Sequence, residues 1–165
     1  MHWFVLAVNP DPWAIGPLGV GKKGGKYYPY VGRNNQLRDY QEAVREALSE
    51  IEMLSKNSLY SLTFYFWRRL DEHQDGKKHQ ADVTNLQKAL EDALQGVLFD
   101  NDRDVREVRS VIIEQSATAD PCIVIKAELW EGHDPSEIPD YVWEQIDRVD
   151  MPTIFDNTWM GPDNG

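Results

Sequence analysis

Cysteine is almost absent from this chain, because Cys122 is the only one in 165 residues. No disulfide can therefore form within the chain, and a thiol in the apolar run 122–125 is expected to be buried as a small hydrophobic group. Long apolar runs are absent as well, since no stretch approaches the roughly 18 residues typical of a membrane span. Residues 1–8 lack the basic leader of a signal peptide. These absences predict a cytoplasmic protein without membrane attachment.

Positive charge is also scarce. The chain has 17 lysines and arginines against 28 aspartates and glutamates, for a net charge of −11. Such a balance argues at first against a nucleic-acid partner, because DNA binding normally requires a basic patch. The charges are unevenly spread, however: residues 1–45 hold six basic and three acidic side chains, whereas residues 131–165 hold one basic and nine acidic. Since exposed charges are screened beyond about 8 Å, a local basic segment can still contact phosphate.

The spacing of apolar residues predicts one α+β domain over residues 1–131, followed by an acidic, proline-containing extension over residues 132–165. The predicted elements are a strand at 3–8, a helix at 35–56, a strand at 59–67, a helix at 82–95, and strands at 105–115 and 121–130. The short polar turn between the last two strands favours a hairpin. The expected architecture is a mixed β-sheet with two α-helices packed on one face.

Residues 9–32 are predicted to form a long irregular loop that is rich in glycine, lysine and tyrosine. Cations in and just after this loop alternate with aromatic residues: Lys22, Lys23, Lys26 and Arg33 with Tyr27, Tyr28 and Tyr30. This composition suits phosphate contact together with aromatic stacking on unpaired bases. A flexible, solvated loop is the alternative that composition leaves open.

The most informative segment is the second predicted helix with the turn that follows it. Asp82 precedes the helix, and Asn85, Lys88 and Asp92 lie within about 60° of one another on it, at 100° per residue. After the helix, the acidic turn at 100–102 is expected to return toward the helix start. The sequence thus predicts a polar surface that combines several carboxylates with one lysine.

Carboxylates of this kind suit Mg²⁺, which commonly takes one or two of them and completes its shell with water and phosphate. Asp82 and Asp102 are the candidate ligands, with Asp100 as a further one. A bound divalent ion activates water and stabilises a departing oxygen, while Lys88 would offset negative charge on the transition state. The pattern is typical of phosphodiester hydrolysis.

Each of these residues also has an ordinary structural interpretation. An aspartate before an apolar-periodic run is most often a helix N-cap, which is the alternative for Asp82. Lys88 and Asp92 can form a four-apart ion pair on a solvated helix face, and the segment 100–102 is typical of a turn. Spacing alone therefore does not establish a metal site.

The segment resembles the signature of the RusA family, in which Asp-x-Asp-Asn-Leu-x-Lys-Ala opens a helix that continues to Asp-Ala-Leu and precedes an Asp-Asp-x-x-Val element. The matching residues, in order, are Asp82, Asn85, Leu86, Lys88, Ala89, Asp92, Ala93, Leu94, Asp102 and Val105. The match is specific over about 25 residues, and the basic segment before the first helix is also similar to one in the family. The extension after residue 131 lies outside the resemblance.

The resemblance implies a Holliday junction resolvase: a homodimer that binds four-way DNA junctions and cuts two opposed strands, with Mg²⁺ or Mn²⁺ as cofactor. It implies that Asp82 and Asp102 bind the metal and that Lys88 is the assisting cation. Contacts to DNA are expected from the basic segment, from Asn85, and from Arg69 at the end of the second predicted strand.

One departure from the family pattern bears on activity, because the second aspartate of the motif is Thr84 here. Either the site uses fewer carboxylates, or Asp100, Asp92 or Glu91 replaces the missing one. Three hypotheses follow: a metal-dependent junction endonuclease in recombination and repair, a catalytically weak junction-binding protein of the same fold, and an acidic interaction protein that acts through residues 131–165.

Overall fold

The computed structural model describes residues 1–74, 76, 79–132 and 134–148. The chain divides into two units, Met1–Trp130 and Glu131–Gly165, and each is described by itself. The elements of the first unit are β1 (His2–Leu6), β2 (Leu18–Lys23), β3 (Lys26–Val31), α1 (Asn35–Ala47), β4 (Tyr60–Arg69), α2 (Val83–Leu94), β5 (Val105–Ser116) and β6 (Cys122–Leu129). The described part of the second unit contains α3 (Asp140–Arg148).

The main sheet has four strands in the order β1-β6-β4-β5. β4 pairs parallel with β5 and antiparallel with β6, while β1 pairs antiparallel with β6. The predicted mixed sheet of an α+β fold is confirmed. β4 is central because its alternate residues Tyr60, Leu62, Phe64 and Phe66 are all buried on one face.

Helices α1 and α2 pack against each other and bury the same face of the sheet, as predicted. Their apolar residues recur at helical spacing, so each helix presents one buried stripe to the strands. The buried residues of the helices are Tyr40 and Val44 in α1, and Leu86, Ala89, Leu90, Ala93 and Leu94 in α2. The polar side of α2 consequently remains at the surface.

The predicted hairpin of the last two strands is wrong, because β4 lies between β5 and β6. The connection through residues 117–121 is long enough to pass over one strand, a gap of about 9.5 Å between the outer strands. β4 and β5 are parallel, and α2 is the crossover that joins them. The turn composition of residues 117–121 correctly predicted that β5 and β6 run in opposite directions. It did not show that β4 lies between them.

The predicted irregular loop at 9–32 is wrong in its second half, where β2 and β3 form a two-stranded antiparallel hairpin. The turn is Gly24-Gly25, with φ of +58° and +80°, as a two-residue hairpin turn requires. At the base of the hairpin, the N–H of Gly32 donates to the carbonyl of Pro17 at 2.7 Å. The two-residue glycine pair was the sequence signal for this turn.

Helix α1 ends at Ala47 rather than near residue 56. Leu48 and Leu54 are still buried, but the chain between them forms turns with bonds such as Ile51 N–H to the Leu48 carbonyl at 3.0 Å. The helical spacing of apolar residues therefore continues past the end of the helix, which is why the sequence predicted a longer one.

Helix α3 was not predicted, and residues 149–165 of the predicted extension lie outside the described residues. None of the described helices is both long and apolar enough to cross a membrane.

Replacing Leu90 by alanine is expected to lower the free energy of unfolding by about 2–5 kcal/mol, because the fully buried side chain leaves a cavity between α2 and the sheet. Denaturant unfolding followed by circular dichroism measures the loss. The matched control is Leu129→Ala, the same change at a position that is 60% exposed, with an expected loss below about 1 kcal/mol. Equal losses would contradict this placement of the core.

Candidate active site

Asp82 is the N-cap residue of α2, with φ −78° and ψ 156°. Its Oδ1 accepts hydrogen bonds from the Asn85 backbone N–H and the Thr84 hydroxyl, both at 2.8 Å, and its Oδ2 accepts one from Asn85 Nδ2 at 2.9 Å. These donors, with the backbone N–H of Asn85 first and the hydroxyl of Thr84 next, hold the pKa of Asp82 below its ordinary value. Asp82 is exposed, so its carboxylate remains open to a ligand.

Thr84 stands where the RusA-like motif has an aspartate, and the structure shows what it does instead. Its hydroxyl donates to Asp82, so it orients that carboxylate and adds no negative charge. Asn85 fixes the second oxygen of the same carboxylate. The helix start thus offers one well-oriented carboxylate.

Two residues that sequence reasoning missed hold the start of α2 in place. The backbone N–H of Trp13 donates to the carbonyl of Asn85 at 2.8 Å. The side chain of Gln115, at the end of β5, bonds both the N–H of Ala81 at 3.0 Å and its carbonyl at 2.9 Å. These partners are far away in sequence, and no local motif signals them.

Lys88 lies one and a half turns further along the exposed side of α2. Its Nζ is 3.8 Å from Asp92 Oδ2 and 5.4 Å from the ring centroid of Trp13. The expected four-apart ion pair is present, and the tryptophan ring adds a cation–π contact. About half of the lysine side chain, 52%, stays exposed, so the ammonium group can still meet a phosphate.

A surface cavity of about 180 Å³ lies near the other end of α2. Its lining residues are Lys88, Glu91, Asp92, Gln95, Phe99, Asp102 and Val105. Asp102 begins a short 3₁₀ turn, whose cap is made by Asn101 accepting from the N–H of Arg103 at 3.0 Å. This cavity brings together three carboxylates and the lysine.

Glu91 is the half-buried member of that cavity and was only an alternative at the sequence level. Burial is the main cause that raises the pKa of Glu91, and the negative charges of Asp92 and Asp102 raise it further. Lys88 and a hydrogen bond from Gln87 act in the opposite direction. The influence of Asp102 shows that the late acidic turn faces this part of the helix.

Asp82 and Asp102 lie at opposite ends of α2. The helix has 12 residues, so its ends are about 17 Å apart at 1.5 Å per residue. The expected return of the acidic turn to the helix start does not occur; Asp100 pairs instead with Lys56, at 3.3 Å. Among the described residues, no group of three histidine, cysteine or acidic side chains could hold a metal ion. The described carboxylates thus lie in two places, Asp82 at the start of the helix and Glu91, Asp92 and Asp102 around the cavity near its end.

The predicted DNA-contacting residues fall into three places, of which the start of α2, with Asn85, is described above. Lys22, Lys23 and Lys26 are exposed at the tip of the β2–β3 hairpin, and Arg33 is exposed just after it. Arg69 is engaged elsewhere in the fold, where its guanidinium donates to the carbonyl of Ala119 at 2.6 Å and to Asp120 at 3.0 Å. The hairpin lysines are therefore more available to a ligand than Arg69 is.

A family model described as Endodeoxyribonuclease RusA matches residues 19–128, or 110 of the 165 residues. No curated protein matches the chain at a significant level. The match covers the hairpin from its second residue, both helices of the first unit and the acidic turn. It identifies the chain as a DNA endonuclease. The chain belongs to the RusA family, whose activity is the resolution of Holliday junctions. The family membership that the motif predicted is confirmed.

Substitutions at Asp82 should separate its capping role from its charge. Asp82→Ala removes the acceptor at the helix start and is expected to lower the midpoint of thermal unfolding by about 2–4 °C at neutral pH. Asp82→Asn keeps an oxygen acceptor and should lower it much less, because asparagine caps as well as aspartate.

The pH dependence follows from the lowered pKa of Asp82. Stability from the ionised carboxylate is present above the ordinary aspartate pKa and is lost as the pH falls through the lower folded value. The difference in unfolding midpoint between wild type and Asp82→Ala should therefore narrow as the pH falls from about 6 to about 3, and only the contribution of the neutral acceptor should persist. A constant difference across that range would contradict this account of the cap.

Proposed function

We propose that this protein is a metal-dependent resolvase that acts as a homodimer on four-way DNA junctions, with Mg²⁺ or Mn²⁺ as cofactor. The observation that carries the proposal is the polar surface along α2. Asp82 caps the start of the helix, and Lys88 lines the same cavity as Asp102. Family membership supports cutting of branched DNA. We infer a cytoplasmic role in recombination and repair from the same membership, with residues 1–131 as the nuclease domain and 132–165 as an appendage.

The separation of Asp82 from Asp102 supports a site shared between two copies. A two-fold axis applies the same surface of each copy to the other. In the dimer we propose, this axis is perpendicular to α2, so the two α2 helices that meet across it run antiparallel. The start of each helix then lies at the end of the other, and Asp82 of one copy approaches Asp102 of the second. Two such sites form per dimer, which suits paired cuts on opposed strands.

The residues of this chain contribute to hydrolysis in distinct ways. Thr84 and Asn85 hold the Asp82 carboxylate in one orientation, and Trp13 with Asp92 holds the Lys88 ammonium where a phosphate could accept from it. A divalent ion, when bound, supplies activated water and counter-charge. Glu91 and Asp92 lie close enough to the cavity of Asp102 to replace the carboxylate missing at Thr84, and Asp100 is the less suitable ligand because Lys56 neutralises it.

The proposed DNA contacts combine the hairpin with the start of α2. Lys22, Lys23, Lys26 and Arg33 neutralise backbone phosphates, which fixes the position of the junction without reading its sequence. Asn85 lies beside Asp82 and would contact the scissile strand, while Arg69 supports the β5–β6 connection. The acidic balance of the whole chain does not oppose these contacts, because screening acts over about 8 Å.

A second candidate function is a catalytically weak protein that binds junctions. The observation in its favour is Thr84, a neutral residue at a position where the family motif carries a ligand, together with Asn101 in place of the first late aspartate. Such a protein would keep the hairpin and the fold but cut slowly.

The deciding experiment is cleavage of a labelled four-way junction, with linear duplex of the same sequence, in Mg²⁺, Mn²⁺ or EDTA. We expect metal-dependent paired nicks in the junction alone.

Asp82→Asn should lower the rate of nicking by at least about 100-fold, because the carboxylate is lost. The affinity for the junction, measured by gel shift, should be retained. Asp39→Asn, the same change at an exposed position of α1, is the control. Tight junction binding without nicking in either metal would favour the second candidate.

The shared site has its own test, which uses two inactive variants. When Asp82→Asn and Asp102→Asn chains are co-refolded, mixed dimers contain one site without a substitution, so nicking should recover to about a quarter of wild type. The control mixture pairs Asp82→Asn with the Asp82→Asn/Asp102→Asn double variant and should stay inactive. If the first mixture also stays inactive although size-exclusion chromatography and two affinity tags show mixed dimers, each site belongs to one copy.

A further inference from the structure

We infer that one face of the β2–β3 hairpin is a stacking platform for the unpaired bases of single-stranded DNA. This face, called the tyrosine face below, consists of Gly19, Gly21, Lys23, Lys26, Tyr28 and Tyr30. The inference deepens the proposed function and rests on it for the role of the platform at a junction. Binding of single-stranded DNA by this face needs neither a metal nor cleavage.

The register of the hairpin determines which side chains share a face. Gly19 is paired with Tyr30, Gly21 with Tyr28, and Lys23 with Lys26. Side chains alternate between the two faces of a strand, so these three pairs all lie on one face. Two aromatic rings are thereby followed by two ammonium groups at the tip.

The two glycines explain how the rings are held. A Cβ atom added to Gly19 would lie 2.5 Å from Cζ of Tyr30, and one added to Gly21 would lie 2.5 Å from Cζ of Tyr28. Each tyrosine ring therefore lies across the backbone of the opposite strand, in space that any other residue would fill. The rings still expose 46% of Tyr28 and 49% of Tyr30, so one surface of each ring is open to a ligand.

The opposite face of the hairpin differs in character. It carries the pairs Leu18 with Val31, Val20 with Pro29, and Lys22 with Tyr27. The ring of Tyr27 already lies 5.4 Å from Nζ of Lys22, and a lysine is opposite it rather than a glycine. The sequence grouped all three tyrosines as candidates for stacking, whereas the structure assigns the platform to two of them and makes the third a matched control.

The chemistry of the tyrosine face selects its ligand. An open aromatic ring stacks on any base that is free of its own neighbours, and nearby cations neutralise the phosphates on either side. Duplex DNA offers phosphates to Lys23 and Lys26 but keeps its bases stacked inside, out of reach of the rings. The platform therefore prefers single strands and the unstacked bases at a branch point.

The test measures binding by fluorescence anisotropy with the full-length protein in EDTA. The probes are a labelled oligothymidylate of about 12 nucleotides, within the usual range of site sizes, and an abasic oligonucleotide of the same length and charge. We expect the wild type to bind oligothymidylate at least about 5-fold more tightly, because each stacked base contributes measurably to affinity. Equal affinity for the two probes would overturn the inference.

Variants locate the platform. Tyr28→Leu/Tyr30→Leu should remove the preference for oligothymidylate while leaving binding of the abasic probe unchanged, whereas Tyr28→Phe/Tyr30→Phe keeps the rings and should retain the preference. Tyr27→Leu is the control on the other face and should behave as wild type. If Tyr27→Leu reduced the preference for oligothymidylate as much as the double leucine variant does, the assignment to the tyrosine face would be overturned.

Folding and cleavage are monitored separately from this binding. None of these tyrosines belongs to the buried core, so circular dichroism of the variants should match wild type. A protein that prefers oligothymidylate but does not nick junctions would lack the proposed function and still have the platform. A protein that nicks junctions but binds the two probes with equal affinity would lack only the platform.

Discussion

The parallel pairing of β4 with β5 is the constraint on which the rest of this structure depends. Parallel neighbours cannot be joined by a tight turn, so the chain must return along the sheet through a crossover, and α2 is that crossover. Its inner side completes the core, which leaves the outer side free for polar residues. The length of the helix then sets the distance between the carboxylate that precedes it and the acidic turn that follows it.

This arrangement gives the two ends of α2 different electrostatic environments. At the start, Asp82 is exposed, accepts three hydrogen bonds and stays ionised. At the end, Glu91 is half-buried beside Asp92 and Asp102, where burial and like charges favour protonation. Lys88 lies between the two ends. Positive charge placed beside Glu91, Asp92 and Asp102 would relieve the repulsion at the end of the helix.

The chain also separates its charges, which reconciles an acidic protein with a DNA substrate. Three lysines lie on the β2–β3 hairpin, which contributes nothing to the buried core. Its side chains are not required for core packing and can therefore serve contact with a ligand. Glycines opposite Tyr28 and Tyr30 clear the space for their rings. A two-stranded ribbon is only marginally stable alone, and the hydrogen bond between Gly32 and Pro17 helps to fix its base to the domain.

The sequence by itself determined the features that depend on neighbours a few residues away: the second helix, its cap at Asp82, its polar side with Lys88, and the motif that identifies the family. It also predicted the mixed sheet with two helices on one face. Only the tertiary structure decided that β4 separates β5 from β6, that Trp13 and Gln115 hold the helix start, and that Asp102 lies at the far end of the helix. Those facts depend on contacts between distant segments, which periodicity and turn chemistry do not encode because each describes only a short stretch of chain.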